Sequence, residues 1–167
     1  MLSMKTRWKY CGSVALCFTL ASCSYPVEAS PSADTERTDE ADPTSWQITE
    51  IYWSDADSGR INGERFRLSD IDAPETGGVG AAVGPAQCEK ERERGFAAKE
   101  FVVELTRDKE LKITKSYGFD KMPEPRLLID LSADGVDVSQ RGVEAGYLRP
   151  WPHDGTKALA PKPDWCD

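Results

Sequence analysis

Histidine is nearly missing from this sequence: His153 is the only one in 167 residues. With no second His and no cysteine cluster, a His-based zinc site is excluded. Base is scarce relative to acid, with 21 Lys+Arg against 29 Asp+Glu and a formal net charge of -8. So acidic a chain is a poor general coat for nucleic acid, because phosphate backbones are bound by Lys and Arg that displace counterions. Long apolar runs are lacking too, and the mean hydropathy is -0.54. That excludes an integral membrane protein beyond one N-terminal segment. No internal repeat occurs, and strand and helix signals do not alternate as a doubly wound parallel sheet requires. The length sets an expectation of one folded domain.

What is present begins with an address. Lys5, Arg7 and Lys9 precede the short apolar run Cys11 to Leu20, which falls well short of the ~20 residues that span a bilayer. Residues 1–22 therefore read as a signal peptide. Leu20-Ala21-Ser22-Cys23 resembles a bacterial lipobox, which implies lipidation of Cys23 and a membrane partner through that anchor. Cleavage after Ala29 and soluble export is the alternative. Residues 23–45, rich in Ser, Pro, Ala, Asp and Glu, read as a solvated acidic tether that carries much of the chain's acidity. The expected location is the cell envelope, with Ser24 after the cysteine leaning to the outer membrane, or otherwise the periplasm or medium. Cys88 and Cys166 remain as an even pair in an oxidising compartment, and a disulfide between them is expected. Two separate buried thiols are the alternative.

The folded domain is expected over 46–167, as a monomer. Trp46 to Trp53 alternates as a strand, and Asn62-Gly63 marks a hairpin. Ile71 to Glu75 ends a strand at Pro74, and the Gly-rich run Thr76 to Pro85 follows. Gln87 to Leu105 reads as a helix with Ala98, Phe101, Val102 and Leu105 on one face and Glu89 to Arg94 as a solvated opening. Lys109 to Tyr117 and Arg126 to Leu131 read as strands, and Val138 to Tyr147 as a second helix stopped by Gly146. Short strands with two helices suggest a closed small β-barrel carrying helices, an α+β class.

The chemistry concentrates between Asp55 and Glu75. Asp57, Asp72 and Glu75 stand at strand ends beside a flexible loop, an oxygen-rich set suited to a hard cation such as Ca²⁺. Arg67 on the strand leading in fits a phosphodiester better than it fits carboxylates alone. Phe66-Arg67-Leu68-Ser69-Asp70-Ile71-Asp72-Ala73-Pro74-Glu75 resembles the R-L-x-x-I-D-A-P-E signature of the staphylococcal-nuclease (thermonuclease) family. Asp55-Ala56-Asp57-Ser58 is similar to that family's D-G-D-T. Arg126-Leu127-Leu128, Asp134 to Val138 and Val143 to Gly146 are similar to its tail.

That resemblance implies an OB-fold, a five-stranded barrel with helices, and a Ca²⁺-dependent nuclease cleaving the 5′-O–P bond of DNA or RNA. It places Ca²⁺ on Asp57, Asp72 and the main-chain carbonyl of Ala73. It makes Glu75 the residue that activates water, and Arg67 and Arg126 the groups that hold phosphate and stabilise charge. Lys121 and Trp151 become candidate substrate contacts. The sequence departs from the pattern at Ser58, at the longer run Lys121 to Pro125, and at Gly142, where weaker helix packing is expected. The rival reading is a non-catalytic OB-fold binding module anchored at the envelope. Residue by residue, plainer roles stay open: Asp57 as a turn carboxylate, Arg67 paired with Glu64 or Asp70, Trp151 as an apolar lid.

Overall fold

The computed structural model describes residues 42–154 and 157–167. The expected signal peptide over 1–22, lipidated Cys23 and the tether up to residue 41 lie outside the described residues. Asp42 caps a single 3-10 turn, Pro43–Ser45, by accepting from Thr44 N. Trp46 to Glu50 is not a strand, contrary to expectation. The Thr49 and Glu50 N–H groups donate to Asn62 Oδ1 at 2.9 and 3.3 Å, so a side chain takes the place of a ladder there.

Strand β1 is Ile51–Trp53, β2 Ser58–Ile61 and β3 Glu64–Leu68. Between β2 and β3, Asn62 and Gly63 both take positive φ, 49° and 84°, the handedness that two-residue hairpins need. Strand β4, Ile71–Asp72, is followed by helix α1, Glu89–Thr106, then β5, Leu111–Phe119, and β6, Leu127–Ala133. Strand β7, Val136–Asp137, helix α2, Val138–Glu144, and β8, Arg149–Pro150, complete the order. The main sheet runs β1-β2-β3-β6-β5, with β7 also on β6. Its β3–β6 pair is parallel and the others antiparallel, so the sheet is mixed. A separate antiparallel pair joins β4 to β8.

The expected closed five-stranded OB-fold barrel is not what forms. Strands β1 and β5 stand at the two ends of the sheet and do not pair, so the sheet is open and the class is α+β. The reason is local. Strand β1 is three residues long, and a groove of about 550 Å³ lined by Ile48, Ile51, Val103 and Leu111 separates it from the start of β5. The resemblance to the staphylococcal-nuclease family is accordingly not supported by the architecture.

One face of the sheet is covered by the helices. Phe66, Ile61, Leu68, Ile113, Leu127, Ile129 and Leu131 are buried with Ala98 and Val102 of α1, Val138 of α2 and Leu148. Burying such side chains contributes roughly 1.5–3 kcal/mol each before chain entropy is counted. Trp53 stacks edge-on against Phe66 with centroids 5.1 Å apart, and its Nε1 donates to Thr106 Oγ1 at 3.1 Å. Gly142 does not weaken the second helix: a Cβ there would lie 2.4 Å from Leu148 Cδ1, so Leu148 fills the space. Helix α1 also departs from expectation at its opening, because Glu91 is fully buried rather than solvated.

Candidate active site

Asp57, Arg67, Asp72 and Glu75 converge through four local devices. First, Asp55 Oδ1 accepts from Ser58 N at 2.9 Å and Ser58 Oγ at 2.7 Å, a local turn that holds Asp57 just before β2. Second, β3 carries Arg67 on the face opposite the buried Phe66 and Leu68, by the two-residue period of a strand. Third, β4 pairs with β8 in the register Asp72↔Arg149, which fixes Asp72. Fourth, α1 packs on the chain after β4, where a Cβ on Gly95 would lie 2.4 Å from Glu75 O and 2.9 Å from Pro74 O. Only glycine allows that approach, and it sets where Glu75 stands.

The side chains interlock. Arg67 Nη1 donates to Asp57 Oδ1 at 3.0 Å, and its Nη2 lies 3.0 Å from Asp57 Oδ2, a forked pair. Nη2 also donates to Ile71 O at 3.2 Å and lies 3.8 Å from Asp72 Oδ1. Arg67 thus pairs with Asp57 and Asp72, and neither Glu64 nor Asp70 is its partner. Asp57 Oδ2 further accepts from Ala73 N at 3.0 Å. Asp72 Oδ2 accepts from Trp165 Nε1 at 2.8 Å.

Both aspartates are buried, at 3% and 1% exposure, while the Arg67 and Glu75 side chains keep 18% and 25%. Burial pushes the Asp57 carboxyl up to about 8, against the pull of Arg67 and with Asp55 and Asp72 adding to the rise. Burial likewise raises Asp72, opposed by the Trp165 hydrogen bond and by Lys162 and Arg67.

The C-terminal segment supplies residues that sequence reasoning missed. Lys162 Nζ lies 2.9 Å from Glu75 Oε1 and 3.6 Å from Asp72 Oδ1. Burial acts to lower its pKa, but the Glu75 hydrogen bond and the Asp72 and Glu75 charges outweigh it and raise it. Cys88 is bonded to Cys166, and Arg94 donates to Trp165 O at 2.5 Å and Asp167 O at 2.7 Å. Glu91, also missed, accepts from Glu75 N at 3.3 Å and Gln87 N at 2.6 Å, clasping both ends of the Gly-rich run. Its signal lay in the spacing Glu91, Gly95, Ala98, Val102, one buried stripe along α1. The Cys88–Cys166 pair was the signal for Lys162, since it carries residues 157–167 to the start of α1.

Of the other expected residues, Trp151 borders Arg67, and Lys121 and Arg126 belong to the loop between β5 and β6. Arg126 is held by Asp120, with Nε donating to Oδ2 at 2.8 Å and its backbone N to Oδ1 at 3.0 Å. Asp120 N donates to Arg126 O at 3.0 Å, so the ends of the long loop are joined while Lys121 is exposed at its tip. Trp151 is half-buried with its ring 6.0 Å from Arg67 Cζ, and its Nε1 donates to Ala160 O at 2.9 Å. His153 is exposed, stacked edge-on to Trp151.

Asp57 and Asp72, expected to hold Ca²⁺ together with the Ala73 carbonyl, are paired with cations in this arrangement. Among the described residues no group of three or more His, Cys, Asp or Glu is placed to hold a metal. Arg67 takes both oxygens of Asp57 and approaches Asp72, and Lys162 takes Glu75. The arrangement instead offers a guanidinium and an ammonium, seated on buried acids, next to a partly exposed carboxylate. Among known proteins, no family model matches this chain and no curated protein is significantly similar to it.

Proposed function

We propose that the protein hydrolyses phosphodiester bonds of nucleic acid at the Asp57–Arg67–Asp72–Glu75 cluster. The observation that carries this reading is the forked Arg67–Asp57 pair, held rigid by a third hydrogen bond to Ile71 O, with Glu75, three residues beyond β4, joined to the cluster through Lys162 and Asp72. A guanidinium fixed from behind by carboxylates is pre-oriented for the non-bridging oxygens of a phosphate. Glu75, at the lip of the cluster, accepts a proton from water as the water oxygen bonds to phosphorus. The ester oxygen then departs with the electron pair of the broken P–O bond and takes a proton from solvent.

The test is incubation of the full chain with end-labelled single-stranded DNA and RNA, with Ca²⁺ and with chelator in parallel. Cleavage that is lost in Arg67→Ala supports the reading. An intact substrate under every condition refutes it. A second reading, a non-catalytic module that binds an oligonucleotide, is favoured by Lys162 sitting on Glu75, which neutralises the residue assigned as base. Binding without turnover in the same assay would select it.

A further inference from the structure

We propose that Lys162 is a phosphate-binding residue of this site, carried to it by a C-terminal strap that the Cys88–Cys166 disulfide latches. The inference rests on the phosphodiester reading above and extends it to a residue 87 positions away from Glu75 in sequence. Two cations, Arg67 Nη2 and Lys162 Nζ, meet at one oxygen, Asp72 Oδ1, at 3.8 and 3.6 Å. A phosphodiester presents two non-bridging oxygens; Arg67, whose fork is held by Asp57 and Ile71, offers its remaining N–H groups and its charge, and Lys162 adds a mobile point charge beside them. Asp72 is the common seat that keeps both donors in place. It is buried, and its other oxygen is fixed by Trp165 Nε1.

The strap is held at several points along its length. Leu159 N donates to Pro152 O at 2.8 Å, and Trp151 Nε1 donates to Ala160 O. Trp165 is buried under Arg149, whose Cζ lies 4.2 Å from its ring. Arg149 also donates to Asp164 O. Cys166 is bonded to the residue that caps α1, since Cys88 is the N-cap. Lys162 lies between the Ala160 and Trp165 anchors. Its side chain keeps a third of its surface exposed, so it can pivot from Glu75 to an arriving phosphate without the strap moving. That exchange returns Glu75 to the water it has to deprotonate.

Binding of a short single-stranded oligodeoxynucleotide, followed by anisotropy in chelator, tests the proposal on the full oxidised chain. Lys162→Ala and Lys162→Gln are expected to weaken binding about 10-fold, the scale of one charged hydrogen bond, and Lys162→Arg to restore most of it. Reduction of the disulfide, or the Cys88→Ser/Cys166→Ser variant, is expected to weaken binding to a similar extent and to add little in Lys162→Ala. Unchanged or tighter binding by Lys162→Ala, with Arg67→Ala still weakened, overturns the role of Lys162 and leaves the phosphodiester reading standing. Absence of oligonucleotide binding by the unmodified chain overturns both. Should the cysteine variant fold poorly by circular dichroism, the Lys162 variants still decide.

Discussion

At the scale of single residues the site is a balance between burial and pairing. Removing one partner of a buried ion pair typically costs about 3–5 kcal/mol, because the other is left uncompensated. Arg67→Ala is therefore expected to lower stability by about 3 kcal/mol as well as to weaken phosphate binding, read by denaturant melts alongside the binding assay. Acid–base behaviour follows from the same burial. Burial raises the Asp57 carboxyl to about 8 from an ordinary value of 3.8 and shifts Asp72 in the same direction, so ionising them to pair with Arg67 and Lys162 costs folding free energy as pH rises. Stability from these raised carboxyls is fully present below their ordinary pKa and is lost as pH rises through the folded value. Asp120 and Asp134 are shifted down, so what they contribute is lost only as pH falls below about 4. The melting temperature in chelator should then fall between pH 5 and pH 8, and fall less in Asp57→Asn. A flat or rising profile would mean that the Arg67 pairing outweighs burial at Asp57.

At the scale of elements, α1 positions the chemistry although none of its residues performs it. Gly95 lets the helix lie against the main chain of Pro74 and Glu75, and Glu91 ties Glu75 N to Gln87 N. Gly95→Ala forces a Cβ against a carbonyl oxygen and is expected to cost about 1–3 kcal/mol, the scale of overpacking. Its activity should fall further than its stability alone explains, because Glu75 moves with its backbone. Opening the Cys88–Cys166 bridge is expected to cost about 2–4 kcal/mol, as for other long loops, checked by melts with and without reductant. The hairpin at Asn62-Gly63, α1 and β3 were legible because their signals are local: positive-φ residues, a stripe at helical spacing, alternation. The burial of Glu91 was legible only in its spacing from Gly95, Ala98 and Val102, since a charge in a run of charges looks solvated until the backbone N–H groups of Glu75 and Gln87 that donate to it are in place.

At the scale of the whole molecule, barrel closure is the feature that local patterns could not reveal. The residues Trp46 to Glu50 alternate as a strand should, yet Asn62 captures the N–H groups of Thr49 and Glu50, and the sheet stays open between β1 and β5. Closure depends on two edges meeting, a non-local condition that no strand encodes alone. The cluster was more legible than the architecture, because Asp57, Arg67, Asp72 and Glu75 lie within one short stretch. Lys162 and Trp165 enter from the far end of the chain through a disulfide. The net charge of -8 stands against two cations, Arg67 and Lys162, gathered at one buried carboxylate, Asp72. Oligonucleotide affinity should be modest and should decline with salt at a shallow slope, reflecting about two phosphate-directed charges. The central claim, phosphodiester hydrolysis with Glu75 as the proton acceptor, is tested most directly by single-turnover cleavage of labelled single-stranded DNA by Glu75→Gln against the unmodified chain. Loss of general-base catalysis predicts a rate lower by about 100-fold or more with oligonucleotide binding retained. Equal rates, or no cleavage by either protein, would contradict it.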